Sequence, residues 1–380
     1  MTDSDVVYLD HNATTPLLPE VVDAMLPYLR EHFGNPSSSH AYGVRAKKAV
    51  ARAREQVAAL LGGEPEEVLF TSGGTEANNL AILGVAGARD RRPGVVTTEI
   101  EHPATASSCA WLAGHGRRVR RLGVDREGRV RLDEARAVID GETALVTLMH
   151  SNNETGVLQP VAEVARIARA AGALVHTDAA QSMGKVPVRP RDLDVDLVSI
   201  AGHKVYAPKG VGALHVRKGT PLVPVLLGAS QEHGLRPGTE NVASIVGLGA
   251  ACEAVGRDLE VAADRMRRMR DHLWDQLAAA VPGLALNGHP ELRLPNTLSV
   301  RFPRASGAAV LEGAPDVAAS TGSACHEGFQ RASAVILAMG IDPGDALGTV
   351  RLTLGRGTSE DDVRRAADAL ARSWRRLAER

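Results

Sequence analysis

Short apolar, β-branched runs alternate with longer mixed stretches through the first two-thirds of this chain. Val68–Phe70, Val95–Thr98, Val119–Leu122, Ala144–Met149, Ala173–His176 and Val195–Ile200 read as strands. Pro19–Arg30, Thr75–Arg89, Pro103–Gly114 and Val161–Ala171 read as helices, the third with proline in its first turn. Another long helix is expected to be capped by Ser39 or a neighbour and to end near Gly62-Gly63. Strands and helices in this alternation predict an α/β fold with a mostly parallel sheet covered on both faces. In such sheets, ligands collect at the carboxyl ends of strands. From Thr239 to Pro282 the pattern becomes one long helical region. Beyond it, Thr297–Phe302 and Val350–Leu354 read as strands, and Ala308–Glu312, Ala332–Met339 and Glu360–Leu377 as helices of a smaller C-terminal domain.

Composition narrows the function classes. The length, 380 residues, suggests about two or three domains. Aromatic residues are only 3%, so the core must rest on Leu, Val, Ile and Ala. A formal net charge of −1 argues against a dedicated nucleic-acid or membrane-surface binder. No apolar run reaches the roughly 18 residues of a spanning helix. Three cysteines (Cys109, Cys252, Cys325) make no disulfide framework at this size, and the acidic Met1–Asp5 start has no signal-peptide pattern. A soluble, cytoplasmic protein is expected.

Candidate chemistry gathers at strand ends. The run Val195–Ile200 stops at Ala201-Gly202-His203-Lys204, passes through a Pro/Gly loop and resumes as an apolar return strand through Val211–Leu214. Lysine is rare here against arginine, and only a lysine can lose its proton, so Lys204 is a candidate for Schiff-base chemistry as well as for a solvated turn. Thr71-Ser72-Gly73-Gly74-Thr75 lies between a strand and a helix, where free N–H groups make a phosphate cradle or merely a capped glycine turn. His102 precedes Pro103 and reads as a helix cap, or as a ring that stacks and moves protons. His150–Gly156 and His176–Gln181 each follow a buried strand; Asp178 either caps the next helix or pairs with a protonated pyridine nitrogen. Cys109 and Cys252 sit in apolar helices as core residues, whereas Cys325 lies in a small, polar stretch suited to a reactive thiol. No cysteine or histidine spacing suggests a metal site.

Taken in order, these pieces resemble the cysteine desulfurases, the NifS/IscS-like pyridoxal-phosphate enzymes of the class-V aminotransferase family. The match runs from Tyr8-Leu9-Asp10 to Val350–Arg356, nearly the whole chain. It implies the aspartate-aminotransferase type I fold, with a large cofactor-binding domain over residues 16–257 and a small domain built from 1–15 and 258–380 that carries the cysteine loop. It implies that Lys204 bears pyridoxal 5′-phosphate covalently, that His102 stacks on the ring, that Asp178 holds the pyridine nitrogen and that Gln181 contacts the phenolic oxygen. Gly74, Thr75 and His203 would hold the phosphate, and Thr239 would reach the phosphate site of the partner in a homodimer. Asn153 and Arg351, with Asn35, would hold the carboxylate of L-cysteine, a task that suits bidentate arginine. Cys325 would take the sulfur as a persulfide for an acceptor protein that the sequence does not name. Two positions depart from the family pattern. Ala201 stands where a phosphate-binding serine is usual, a gap for a water, a hydroxyl such as Ser199, or nothing. Gly228-Ala229-Ser230 replaces a run of three glycines. The Cys325-His326-Glu327 context is also similar to selenocysteine lyases, so a lyase of that kind stays open as the alternative.

Overall fold

The computed structural model describes residues 6–322 and 332–379. Cys325 lies outside the described residues. After β1 (Val7–Tyr8), α1 (Pro19–Arg30) and α2 (Ala41–Leu61), the α/β alternation begins. It runs β2 (Val68–Thr71), α3 (Gly74–Ala88), β3 (Gly94–Thr98), α4 (Pro103–Gly114), β4 (Arg118–Leu122), α5 (Leu132–Val138) and β5 (Thr143–Met149). It continues with α6 (Val161–Ala170), β6 (Leu174–Asp178), α7 (Pro190–Leu193), β7 (Leu197–Ala201) and β8 (Gly212–Val216). Among the described residues these strands form one sheet in the order β2-β8-β7-β6-β5-β3-β4. The five strands β7 to β4 run parallel, and β8 is antiparallel to both its neighbours. The expected mostly parallel α/β sheet is therefore present.

Alternation along each strand splits the core. On β5, Val146 and Leu148 enter the cluster beneath α2, α6 and α8, while Leu145 faces the cluster under α3 and α4. β3, β5, β6 and β7 are buried at every position, as parallel strands covered on both faces must be. The cap of α2 is His40, whose Nδ1 accepts from the Gly43 N–H (3.4 Å), and the helix ends on Gly62 at φ +64°.

The long helix expected over Thr239–Pro282 is two helices, α8 (Val242–Gly256) and α9 (Leu259–Ala280). α8 is apolar nearly all round and packs against α1 and α2. α9 buries one stripe, whose Leu273 and Leu277 join a second core. The helix breaks at Arg257-Asp258, where the chain changes packing partner. The chain goes on through β9 (Ala285–Leu286), β10 (Thr297–Arg301), α10 (Gly307–Glu312), β11 (Val317–Ala318), α11 (Ala334–Ala338), α12 (Pro343–Ala346), β12 (Thr349–Thr353) and α13 (Glu360–Ala378), of which β9, β10, α10, β11, β12 and α13 complete the second core. β9, β10 and β12 form an antiparallel sheet, and β1 pairs with β11, so Val7 and Leu9 belong to this core. Val335, Ile336 and Met339 of α11 and its end turn pack on the first core instead.

Candidate active site

The lysine turn has the shape read from the sequence. β7 ends at Ala201, Gly202–Lys204 form one 3₁₀ turn, and β8 returns antiparallel. The N-terminal arm clasps this turn: the Thr15 N–H (2.9 Å) and Thr15 Oγ1 (3.0 Å) both donate to the His203 carbonyl. Two residues on, Tyr206 has φ +66°, an uncommon conformation for a non-glycine residue. It is held there because its N–H donates to Thr15 Oγ1 (2.8 Å) and its hydroxyl accepts from the Arg356 N–H (2.8 Å).

Lys204 looks into a cavity of about 280 Å³. One end is the start of α3, where Gly74 and Thr75 line the wall and the first-turn N–H groups lack helical acceptors. A side chain at Gly74 would press on Ala201, since an added Cβ would lie 3.1 Å from the Ala201 Cβ. Asp178, at the end of β6, lies across the cavity. Its Oδ2 accepts from Asn78 Nδ2 (2.6 Å) and its Oδ1 from the Ala180 N–H (2.9 Å). His102 caps α4 by accepting from the Ala104 N–H on Nδ1 (3.2 Å), so a neutral ring carries its proton on Nε2. Burial and the nearby Lys204 ammonium lower its pKa, against the pull of Asp178. Burial also lowers the pKa of Lys204 itself, with Asp178 opposing and Arg351 assisting. Among the described residues the Lys204 amine has no hydrogen-bond or ion-pair partner. His203 is pushed down to about 4 by burial and by the surrounding lysines.

Arg351, on β12, reaches the same cavity from the second core. Its Nη2 bonds Asp10 Oδ1 (2.7 Å), its Nη1 donates to the Asn153 carbonyl (3.0 Å), and its buried Nε has no partner among the described residues. Asn153 and Gln181 also line the cavity. Gln181 Nε2 is committed to the Asn12 carbonyl (2.9 Å), and its buried Oε1, an acceptor, has no partner among the described residues. Asn78 Oδ1 is likewise buried and, among the described residues, unpartnered.

The cavity thus joins Gly74, Thr75, His102, Asn153, Asp178, Gln181, His203, Lys204 and Arg351. Asn35 and Thr239 are exposed and lie off its lining. The gap at Ala201 is not filled by Ser199: that hydroxyl bonds His176 Nε2 (2.9 Å) and is fully buried. Cys109 and Cys252 are buried, and burial pushes both thiols up to about 12, as inert core cysteines require. Asn12 and Asn78 also line the cavity, and neither stands in a local motif that marks it in the sequence. The nearest signal, for Asn12, is a polar turn directly after a buried arm.

The family model described as aminotransferase class-V matches residues 7–366. A cysteine desulfurase of Trichormus azollae is 43% identical over 374 residues, covering 98% of this chain and 94% of that protein. The cysteine desulfurase NifS of Azotobacter vinelandii is 45% identical over 362 residues, covering 94% of this chain and 90% of its own. A solved structure described as a NifS-like protein superposes with a TM-score of 0.91 at 37% identity, over 99% of this chain and 100% of that one. A lysine turn at the sheet's carboxyl edge, a matching model over almost the full length and relatives of this identity together mean that the chain belongs to the class-V aminotransferase family.

Proposed function

We propose that this chain is a pyridoxal-phosphate-dependent cysteine desulfurase, which takes sulfur from L-cysteine, releases L-alanine and passes the sulfur on from Cys325. The carrying observation is the Lys204 amine, without a partner among the described residues, set between an anion cradle, the Asp178 carboxylate and Arg351 in one cavity. Pyridoxal phosphate fits these residues: the α3 start and His203 suit its phosphate, Asp178 its pyridine nitrogen and the His102 ring its face. The unpartnered Asn78 Oδ1 and Gln181 Oε1 mark polar positions still open to a ligand. When bound, the cofactor supplies an electron sink for the carbon from which a proton is taken.

The chain's own residues do the rest. Arg351 and Asn153 seat the substrate carboxylate, the arginine through a guanidinium already oriented by Asp10. Lys204, with its proton affinity lowered by burial, is the base at the substrate α-carbon and later returns a proton. The Cys325 thiolate attacks the substrate sulfur. An S–S bond forms, the substrate C–S bond breaks, its electron pair stays with the carbon fragment, and that fragment gains protons to leave as alanine. His102, with its proton on Nε2, assists these transfers. The persulfide on Cys325 then goes to an acceptor protein. In a homodimer the exposed Thr239 would reach the partner's phosphate site. Among the described residues no helix is long and apolar enough to cross a membrane. The free, buried Cys109 and Cys252 suit a reducing cytoplasm.

The test is alanine and sulfide release from L-cysteine with a thiol reductant. Cys325→Ser is expected to lower sulfide release at least ~100-fold, as loss of a nucleophile should, while the cofactor's visible absorbance stays. Release at the parental rate would point instead to a lyase that does not need the thiol. A second expectation concerns Ala201. Ala201→Ser restores one charge-assisted hydrogen bond, about 1.5–3 kcal/mol, and should tighten pyridoxal-phosphate binding by roughly 10- to 100-fold. Titrating apo-protein by fluorescence measures it; unchanged affinity would mean the phosphate does not sit against Ala201.

A further inference from the structure

Lys185 is 3% exposed, and among the described residues no carboxylate pairs with it. Buried lysines are rare and normally need a counter-charge. Here the Nζ donates to two backbone carbonyls, Gln181 O at 2.9 Å and Lys204 O at 3.5 Å. Those carbonyls belong to different elements. Gln181 is in the turn after β6, and Lys204 is in the turn after β7. The two turns already touch beside the amine: Gly184 has φ +73°, and a Cβ there would lie 2.7 Å from Val205 Cγ2. Lys185 therefore adds a second link where these two turns pack together, between one residue that lines the cavity with an oxygen unpartnered among the described residues and the reactive lysine itself.

We propose that Lys185 is a positioning residue of this active site, a cross-brace whose amine holds the Gln181 turn and the Lys204 turn at a fixed separation and places a second ionisable nitrogen behind the reactive lysine. The inference rests on Lys204 being the cofactor-bearing lysine. The titratable groups that face Lys185 are Lys204, His11 and His203, all bases. Burial, and then the charge on Lys204, push Lys185 down to about 7. A proton on Lys204 disfavours one on Lys185; of two such neighbouring nitrogens, the one that titrates lower feels the other's charge.

The experiment loads the full chain with pyridoxal phosphate and follows the cofactor's absorption against pH. A parent protein that forms no visible band with the cofactor would sink the reading of Lys204, independently of Lys185. With the band present, Lys185→Met should raise the pH midpoint of its protonation by about half to one unit, as removal of a neighbouring positive charge does. It should also lower kcat roughly tenfold with KM within about twofold, because the turn that carries the base has lost its tie. A midpoint and kcat equal to the parent's would overturn the proposal. Should Lys185→Met fail to fold, nitrogen-15 NMR of the lysine side chains in the parent holoenzyme decides the matter. With six lysines in the chain, one amine other than that of Lys204 should titrate near 7; all of the remainder titrating above about 9 would overturn it.

Discussion

Lys204→Arg is expected to lower alanine formation from L-cysteine by at least ~1,000-fold and to abolish the visible band on addition of pyridoxal phosphate. Two losses combine. Arginine stays protonated at any pH a protein tolerates, so it forms no Schiff base and accepts no proton. A positioned general base alone contributes about 10²- to 10⁴-fold. The fold should survive, because the turn is held by its backbone. The His203 carbonyl is clasped by Thr15, the Val205 N–H donates to the Gly202 carbonyl (2.9 Å), and Tyr206 is fixed by Thr15 and Arg356. A melting temperature within a few degrees of the parent's, together with the loss of turnover, is the expected pair of results. Turnover near the parental rate would remove Lys204 from the chemistry.

Much of this site could be read along the chain because its parts sit where strands stop. Asp178 ends β6 and Ala201 ends β7, and both strands are apolar runs whose sudden change to polar residues is visible without a structure. The register then does what a linear reading cannot. β5, β6 and β7 are neighbours in parallel, so Met149, Asp178 and Ser199 come into line although the first and last are 50 residues apart in sequence. Arg351 arrives from the other core, on a strand with no sequence link to the cavity. Its distance from the site is closed by the arm, where Asp10 bonds Arg351 and Asn12 bonds both Gln181 and Thr297.

What was not legible depended on packing rather than on local pattern. The break between α8 and α9 lies in a continuously helical composition, and only the change from one core to the other explains it. Helix α5 leaves no legible pattern in the sequence. It is a short element with one fully buried side chain, Ala135, too little to impose a period. The role of Ser199 was open for the same reason. Its hydroxyl faces the neighbouring strand, where His176 takes it, and cross-strand partners are invisible in a single sequence.

That same cross-strand row governs the acid limb of stability. His176 is fully buried between Thr147 Oγ1 (2.8 Å) and Ser199 Oγ (2.9 Å), His150 is bonded to Ser182 Oγ (2.7 Å), and His11 to the Thr353 carbonyl (3.0 Å). Burial pushes each of the three down to about 4, and no partner is strong enough to restore it. In the unfolded chain they titrate near 6.5. Between those values the unfolded state binds more protons, so stability is intact above pH 6.5 and is lost as pH falls towards 4. Two acids act in the other direction. Burial raises Glu101 to about 8 and Glu154 to about 7, so the folded state holds their protons and gains stability as pH falls. His203, His102 and His215 are also lowered and add to the histidine side, which outnumbers the acids. The net expectation is a loss on the order of 2 kcal/mol per pH unit below 6.5, since each uncompensated proton is worth about 1.4 kcal/mol per unit. Urea midpoints measured from pH 7 to 5 read it directly. His176→Gln removes one titration while its amide can still bond a hydroxyl, and it should flatten the slope by up to about 1.4 kcal/mol per unit. A parent whose midpoint does not move over that range, or a His176→Gln slope equal to the parent's, would mean that these rings take up protons without opening the sheet.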